Sequence, residues 1–345
     1  PCKAMHPVLE ELKNENKLHS GIKNEQVHFI LLSVCIIFVS VMEKFELHIL
    51  GCGSALPTTR HFATSQVVNL RDKLFMIDCG EGAQMQLRKS RLKFSRLNHI
   101  FISHLHGDHC FGLMGLISTF GLLGRTAELH IHSPKGLEEL FSPLLAFFCK
   151  NMSYQVVFHE FDTKEPVLIY EDRSMTVTTI PLQHRIPCCG FLFAEKPRPN
   201  HIIREMIDFY QVPVYELNRI KNGADFVTRE GEVIANDRLT RPSEPVRKYA
   251  YCSDTIYRKE IARQIAGVDL LFHEATFAQI DLARAKETFH TTASQAARLA
   301  LDAGVKQLVI GHFSARYENE QVLLEEAATV FPNTILAKEN LCINL

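Results

Sequence analysis

Six consecutive residues, His104-Leu105-His106-Gly107-Asp108-His109, constrain this chain more than any other stretch. Three imidazoles and a carboxylate fall in one turn, directly after the apolar run Ile100-Phe101-Ile102, which reads as a buried strand. A strand that empties into a loop of ligands is how α/β proteins present chemistry at one edge of a sheet. Histidine nitrogens and an aspartate oxygen are a ligand set suited to Zn²⁺. Gly107 gives the backbone freedom to aim neighbouring side chains at different points. The chain carries 17 histidines, but four ligand-type side chains in six positions is a concentration that composition alone does not produce.

With 345 residues, 46% of them hydrophobic, the chain can bury a large core. A net charge of −1 gives no global basic field, so any contact with nucleic acid rests on local patches. Ten cysteines without a CxxC pair, two of them adjacent at Cys188 and Cys189, read as reduced thiols rather than a disulfide framework. That reading places the protein in the cytoplasm.

The first 41 residues stand apart. Residues 1–26 are polar and lysine-bearing, and residues 27–41 form an apolar run. That run is short of the roughly 20 residues a spanning helix needs. No small-residue cleavage site follows it, and no membrane partner is expected. The folded domain is expected to span residues 42–345, with residues 1–41 an extension outside the fold.

From residue 43 onward, strands alternate with helices. Strand patterns cover residues 46–50, 65–70, 73–77, 97–102, 128–132, 155–158, 166–170 and 175–181, and later 249–253, 269–273 and 307–310. Helical patterns cover residues 83–89, 135–149 and 292–303, the last capped by Thr291 or Thr292. Residues 112–123 are apolar almost all round and predict a buried helix behind the histidine-rich turn. Strands in both halves with helices between them predict two sheets covered outside by helices.

Further ligand candidates sit where strands end: His184, Asp254 in Tyr-Cys-Ser-Asp-Thr, and His312 in Ile-Gly-His-Phe-Ser. Taken singly, a strand-end histidine is more often a surface or capping residue. Taken together, all three occupy the position that the histidine-rich turn also occupies.

The pattern HxHxDH followed by a distant His, Asp and His resembles the metallo-β-lactamase superfamily, and more closely the ribonuclease Z family, which trims the 3′ end of precursor tRNA. The closer resemblance rests on Gly51-Cys52-Gly53-Ser54-Ala55-Leu56-Pro57-Thr58, Ile77-Asp78-Cys79-Gly80-Glu81-Gly82 and residues 103–112. It rests also on His273-Glu274-Ala275-Thr276, on His290-Thr291-Thr292, and on Gly311-His312-Phe313 with the residues through Tyr317. It runs from about residue 45 to the C-terminus.

The resemblance implies an α/β fold, a metallo-β-lactamase-type αβ/βα sandwich of two mixed sheets flanked by helices, with an inserted arm. It implies two Zn²⁺ ions per chain: His104, His106 and His184 hold one, Asp108, His109 and His312 the other, and Asp254 bridges them. It assigns Asp108 as proton acceptor, with Glu274 and His290 serving the departing ribose oxygen. The products would be a tRNA with a 3′-OH and a trailer with a 5′-phosphate. Asp78 is a candidate to hold a ligand histidine in place, and Arg316 to bind a phosphate oxygen, although a surface arginine accounts for Arg316 equally simply.

Precursor tRNA is the expected partner, and a homodimer the expected assembly. Seventy positions separate His184 from Asp254, which leaves room for a tRNA-binding arm at residues 195–247, entered at Pro197-Arg198-Pro199-Asn200. The tip, Gln211-Val212-Pro213-Val214-Tyr215, lacks the family's glycine-proline run, and residues 196–248 hold ten basic against eight acidic residues. Arg88, Lys89, Arg91, Lys93 and Arg96 form a basic run that could track a phosphate backbone or end a solvated helix. Two other readings stay open: a small-molecule phosphodiesterase, arylsulfatase or lactonase on the same scaffold, and a binding protein that has lost its metals.

Overall fold

The computed structural model describes residues 43–345, and the expected N-terminal extension with its apolar run lies outside the described residues. Six strands come first: β1 (Phe45–Gly51), β2 (Ser65–Leu70), β3 (Lys73–Cys79), β4 (Leu97–Phe101), β5 (Leu129–Pro134) and β6 (Val156–Phe161). Next come β7 (Leu168–Glu171), β8 (Met175–Pro181) and β9 (Cys189–Glu195). An insertion carries the two-residue strands β10 (His201–Ile202), β11 (Phe226–Val227), β12 (Val233–Ile234) and β13 (Thr240–Arg241). The chain closes with β14 (Lys248–Cys252), β15 (Leu270–Glu274), β16 (Gln307–Gly311), β17 (Thr334–Leu336) and β18 (Cys342–Asn344).

Two seven-stranded mixed sheets result, ordered β18-β1-β2-β3-β4-β5-β6 and β17-β16-β15-β14-β9-β8-β7. Alternation along the strands sets the layers. On β3, Phe75 and Ile77 join a core shared with Phe191, Phe193, Tyr249 and Tyr251 of the second sheet. Leu74 and Met76 point the other way, into a core with the helices α1 (Ala83–Lys89), α2 (Gly107–Cys110), α3 (Leu113–Leu122) and α4 (Leu137–Phe148). Phe101 meets Phe193 edge-on across the sandwich, with ring centroids 5.5 Å apart. Beyond the insertion helices α5 (Arg204–Phe209), α6 (Leu217–Lys221) and α7 (Asn236–Leu239) come α8 (Ile261–Gln264), α9 (Leu282–Thr288), α10 (Ala293–Ala303) and α11 (Gln321–Val330). Thr292 caps α10 in a capping box with Gln295.

The apolar segment 112–123 is a helix, but it is not buried all round. Leu113, Leu116, Ile117 and Phe120 face the core, while Leu122 and Leu123 at its end are exposed. Apolarity all round had predicted burial all round; here one face is left for another surface.

Residues 196–247 leave the second sheet between β9 and β14 and gather a small core of their own from Ile207, Val212, Ile220, Phe226, Ile234 and Leu239. The neck is tied where the sheet resumes. Arg247 donates from Nε to Glu195 Oε2 and from Nη2 to Glu195 Oε1, both at 2.9 Å.

Neighbouring strands β4, β5 and β6 also line up four histidines. His99 stacks on His130, and His132 stacks on His159 and on Phe101. Burial, reinforced by the neighbouring imidazoles, lowers His99 to about 4 and His132 to about 3. Both rings are therefore neutral in the fold, whereas the unfolded chain protonates them below about 6.5. The unfolded state binds more protons across that window, so stability falls as pH drops from about 6.5 towards about 4. Thermal unfolding at pH 7 and pH 5 checks this: His132→Phe should lose less Tm between the two than the wild type. Equal losses in both would contradict it.

A candidate two-cation centre at the sheet edge

The strands of both sheets deliver their chemistry to one edge. Asp78 is the last residue but one of β3, β4 leads into Ser103 and His104, and β8 leads to His184. Asp254 follows β14, Glu274 ends β15 and His312 follows β16. Asp78, Asp254 and His312 adopt positive φ (54°, 20° and 59°), a region that non-glycine residues enter at a cost and mostly where the surroundings impose it. Space is just as tightly specified. A Cβ on Gly112 would lie 2.2 Å from the carbonyl oxygen of Gly80, so only glycine lets the segment after His109 sit on the end of β3.

The structure brings together all seven candidate ligands in two groups: His104, His106, His184 and Asp254, and Asp108, His109 and His312. Asp254 stands between them. Its Oδ2 is 3.7 Å from His104 Nε2 and from His184 Nε2, while its Oδ1 is 3.2 Å from His109 Nε2 and 3.1 Å from His312 Nε2. Asp108 Oδ2 is 3.3 Å from His109 Nε2 and 3.6 Å from His312 Nε2. Four-coordinate bonds of about 2.0–2.3 Å would set ligand atoms roughly 3.3–3.7 Å apart, the spacing found here.

Hydrogen bonds behind the pocket fix which nitrogen faces inward. His109 Nδ1 donates to Asp78 Oδ2 at 2.7 Å, and His184 Nδ1 donates to the carbonyl of Phe289 at 3.0 Å. Ser103 gives its hydroxyl proton to Asp78, so its oxygen accepts from His104 Nδ1 at 3.0 Å. Thr276 gives its proton to Glu274 Oε2 at 2.6 Å, so its oxygen accepts from His312 Nδ1 at 2.9 Å. Each of these four rings thus turns Nε2 into the pocket. His106 instead turns Nδ1 inward, 3.0 Å from His104 Nε2.

That arrangement tests whether the residues suit cations. The Nε2 atoms of His109 and His312 are closed to solvent and have no hydrogen-bond partner. Burial, with neighbouring imidazoles adding to it, lowers the pKa of His104, His106 and His184, which favours neutral rings with free lone pairs. Burial alone would raise Asp254, but His312, His109 and His104 outweigh it and hold the carboxylate ionised. At His109 burial is outweighed by the carboxylates of Asp108, Asp254 and Asp78, which raise the ring's pKa. A cation there would displace a proton, while His104, His106 and His184 offer free lone pairs.

Beside the seven, Glu274 and His290 form a buried pair. Glu274 Oε1 accepts from His290 Nδ1 at 2.8 Å and from the Thr255 amide at 2.9 Å. Burial alone would lower His290, but the Glu274 carboxylate outweighs it and lifts the ring to about 9, so it carries its proton at neutral pH. His290 lines an open cleft of about 340 Å³, together with Ser54, Asp108, His184, His312 and three arginines, Arg185, Arg284 and Arg316. Arg316 is paired with Asp281 at 2.7 Å and lies over the Phe277 ring. His273, the first residue of its motif, is buried away from the cleft, bonded to the carbonyl of Glu274.

Sequence reasoning missed two contributors. Thr276 joins Glu274 to His312, and its signal was its place in the His-Glu-Ala-Thr motif. Arg185 lines the cleft with no ion-pair partner among the described residues, and only its adjacency to His184 could have flagged it.

Comparison with known proteins places this geometry. A curated Ribonuclease Z from Bacteroides fragilis is 84% identical over 304 residues, covering 88% of this chain and 100% of that protein. The chain belongs to the ribonuclease Z family. The crystal structure of human tRNase Z, short form, matches with a TM-score of 0.64 at 26% identity, over 87% of this chain and 98% of that one. A metallo-β-lactamase fold protein from Bacillus subtilis shares the fold at 17% identity, with a TM-score of 0.63 over 88% of this chain and 100% of that one. The family described as Anti-Pycsar protein Apyc1 matches residues 45–197. The two-sheet sandwich flanked by helices is thus the metallo-β-lactamase fold of ribonuclease Z.

Asp78 is the shared support of this centre. It accepts from His109, from the Ser103 amide and hydroxyl, and from Tyr251 Oη at 2.6 Å. Asp78→Asn should weaken divalent-cation affinity roughly 10–100-fold, read by competition with a chelator, and should lower Tm. Wild-type affinity in that variant would contradict the assignment.

Proposed function

We propose that this chain is a metal-dependent endoribonuclease that removes the 3′ trailer from precursor tRNA, leaving a 3′-OH on the tRNA and a 5′-phosphate on the trailer. Relatedness at 84% identity to Ribonuclease Z carries the reading. The cleft with its cation pocket, arginines and protonated histidine supplies the chemistry. The small-molecule hydrolase reading is not favoured by that relatedness.

His104, His106 and His184 would hold one Zn²⁺ and Asp108, His109 and His312 the other, with Asp254 shared. When bound, the two cations lower the pKa of water and offset charge on the phosphate in the transition state. The protein's own groups do the rest. Asp108, beside His109 and His312 at the cleft, accepts the proton of the attacking water. His290, protonated and backed by Glu274, donates a proton to the departing ribose oxygen. Arg185 and Arg316 line the wall where non-bridging phosphate oxygens would lie, and a planar guanidinium matches their geometry.

The insertion at residues 195–247 serves as the arm that grips tRNA, its separate core making it a unit that can be removed. Two copies pair through an apolar face: Leu140, Leu144, Phe147 and Phe148 fall on one side of α4, all exposed. No helix among the described residues is long and apolar enough to cross a membrane. Free thiols at all eight described cysteines agree with the reducing cytoplasm.

Incubation with a 3′-extended tRNA and end mapping of both fragments tests the proposal. Asp108→Ala should abolish cleavage, and His290→Gln should slow it by roughly 10²–10⁴-fold. The same His290→Gln variant should largely spare a nitrophenyl phosphodiester, whose leaving group needs no proton. Replacing residues 198–245 by a short linker should likewise spare that small substrate while losing tRNA cleavage. Products with a 3′-phosphate, or equal loss on both substrates in these variants, would contradict the assignment.

A further inference from the structure

A second cluster of ligand-type side chains lies outside the cleft. Cys52 follows β1, His61 sits in the loop to β2, and Glu339 precedes β18, so three segments distant in sequence converge. Cys52 Sγ is 3.3 Å from His61 Nδ1 and 3.8 Å from Glu339 Oε1, and His61 Nδ1 is 3.1 Å from Glu339 Oε2. These separations match those among the ligands of the histidine pocket, which run from 3.0 to 3.7 Å. They also match the roughly 3.3–3.7 Å edges of a four-coordinate site built on one sulfur, one nitrogen and one oxygen.

The other side of the imidazole is provided for. Glu320 Oε1 lies 3.3 Å from His61 Nε2 and 3.7 Å from Arg60 Nη2. A carboxylate beside the far nitrogen favours the form protonated there, which leaves Nδ1 as a ligand. Cys52 is fully buried, while His61 and Glu339 keep about 15% and 14% of their side chains exposed, which gives an ion a way in.

We propose that Cys52, His61 and Glu339 form a further site for one thiophilic divalent cation of the zinc class, separate from the pocket at the cleft. Binding replaces the thiol proton of Cys52 and any proton held on His61 Nδ1, so at least one proton is released for each ion bound. Thiolate, imidazole and carboxylate suit Zn²⁺ and Co²⁺ and disfavour Mg²⁺ and Ca²⁺. The site would brace the wall of the cleft. Phe313, next to His312, donates its amide to the carbonyl of Cys52, and Ser54 at the cleft donates its amide to the carbonyl of Phe313. Glu339 Oε1 and Glu46 Oε2 each already accept a hydrogen bond, from the Phe62 amide at 2.9 Å and from Asn69 at 2.7 Å. The cluster of Glu46, His48 and Cys342 is therefore the weaker candidate only because its Cys342 thiol is open to solvent whereas Cys52 is buried.

Titration of the metal-stripped full chain with Co²⁺ tests the proposal without using any RNA. The histidine pocket holds no sulfur, so its cobalt gives only visible ligand-field bands. A near-ultraviolet sulfur-to-cobalt charge-transfer band, with a final amplitude of one thiolate-bound cobalt per chain, is expected from the Cys52 site. Cys52→Ala should lose that band and bind one cobalt fewer, while keeping the ligand-field bands that report a folded pocket. Glu339→Gln, milder for folding, should weaken the band's affinity at least roughly tenfold, and Cys342→Ala should leave it unchanged. Absence of the band in the wild type would overturn the proposal. So would its persistence in Cys52→Ala, or its loss in Cys342→Ala; the cluster would then be a hydrogen-bonded tie between loops.

Discussion

Imidazole nitrogens turned towards one carboxylate in a closed space are the constraint on which this molecule's edge depends. Asp254 faces the Nε2 atoms of four histidines within 3.7 Å, and two of those nitrogens are closed to solvent and have no hydrogen-bond partner. Such a group is costly unless positive charge is supplied to it. The surrounding structure commits to that outcome by spending the other nitrogen of each ring on Asp78, Ser103, Thr276 or the Phe289 carbonyl. The sandwich itself is tied into this network, since Tyr251 of the second sheet donates to Asp78 of the first.

Parallel strands make the convergence possible. β14, β15 and β16 run parallel, as do β3 and β4, so residues far apart in sequence emerge at the same edge. The candidate ligands then need only short excursions past a strand end, where Asp254 and His312 adopt positive φ. The insertion, with its own small core and its neck held by Glu195 and Arg247, leaves this edge undisturbed.

Local patterns made much of this legible in the sequence. Alternating apolar residues located β2, β3 and β8 to within two residues, and the Thr292 cap located α10. The ligand cluster was legible because strand ends are where sheets expose chemistry. Other features depend on partners that no local window contains. β9 is as apolar as its neighbours, but it begins within the Cys188-Cys189 pair, which was read only as reduced thiols, and it was not assigned as a strand. β18 exists because β1 offers it an edge almost 300 residues away. The segment 112–123 misled in the other direction, because apolarity does not say which face the protein itself covers. Glu339 and Glu320 could not be linked to His61 by spacing, nor could the hydroxyl of Thr276 be given its double duty.

The most direct test of the central claim is anomalous diffraction from crystals of the purified chain, recorded on either side of the absorption edge of its bound metal. Two peaks in the histidine pocket are expected, one among His104, His106 and His184 and one among Asp108, His109 and His312, each within bonding distance of Asp254. A single light-atom feature there, or a pocket whose histidines have swung apart around water, would contradict it.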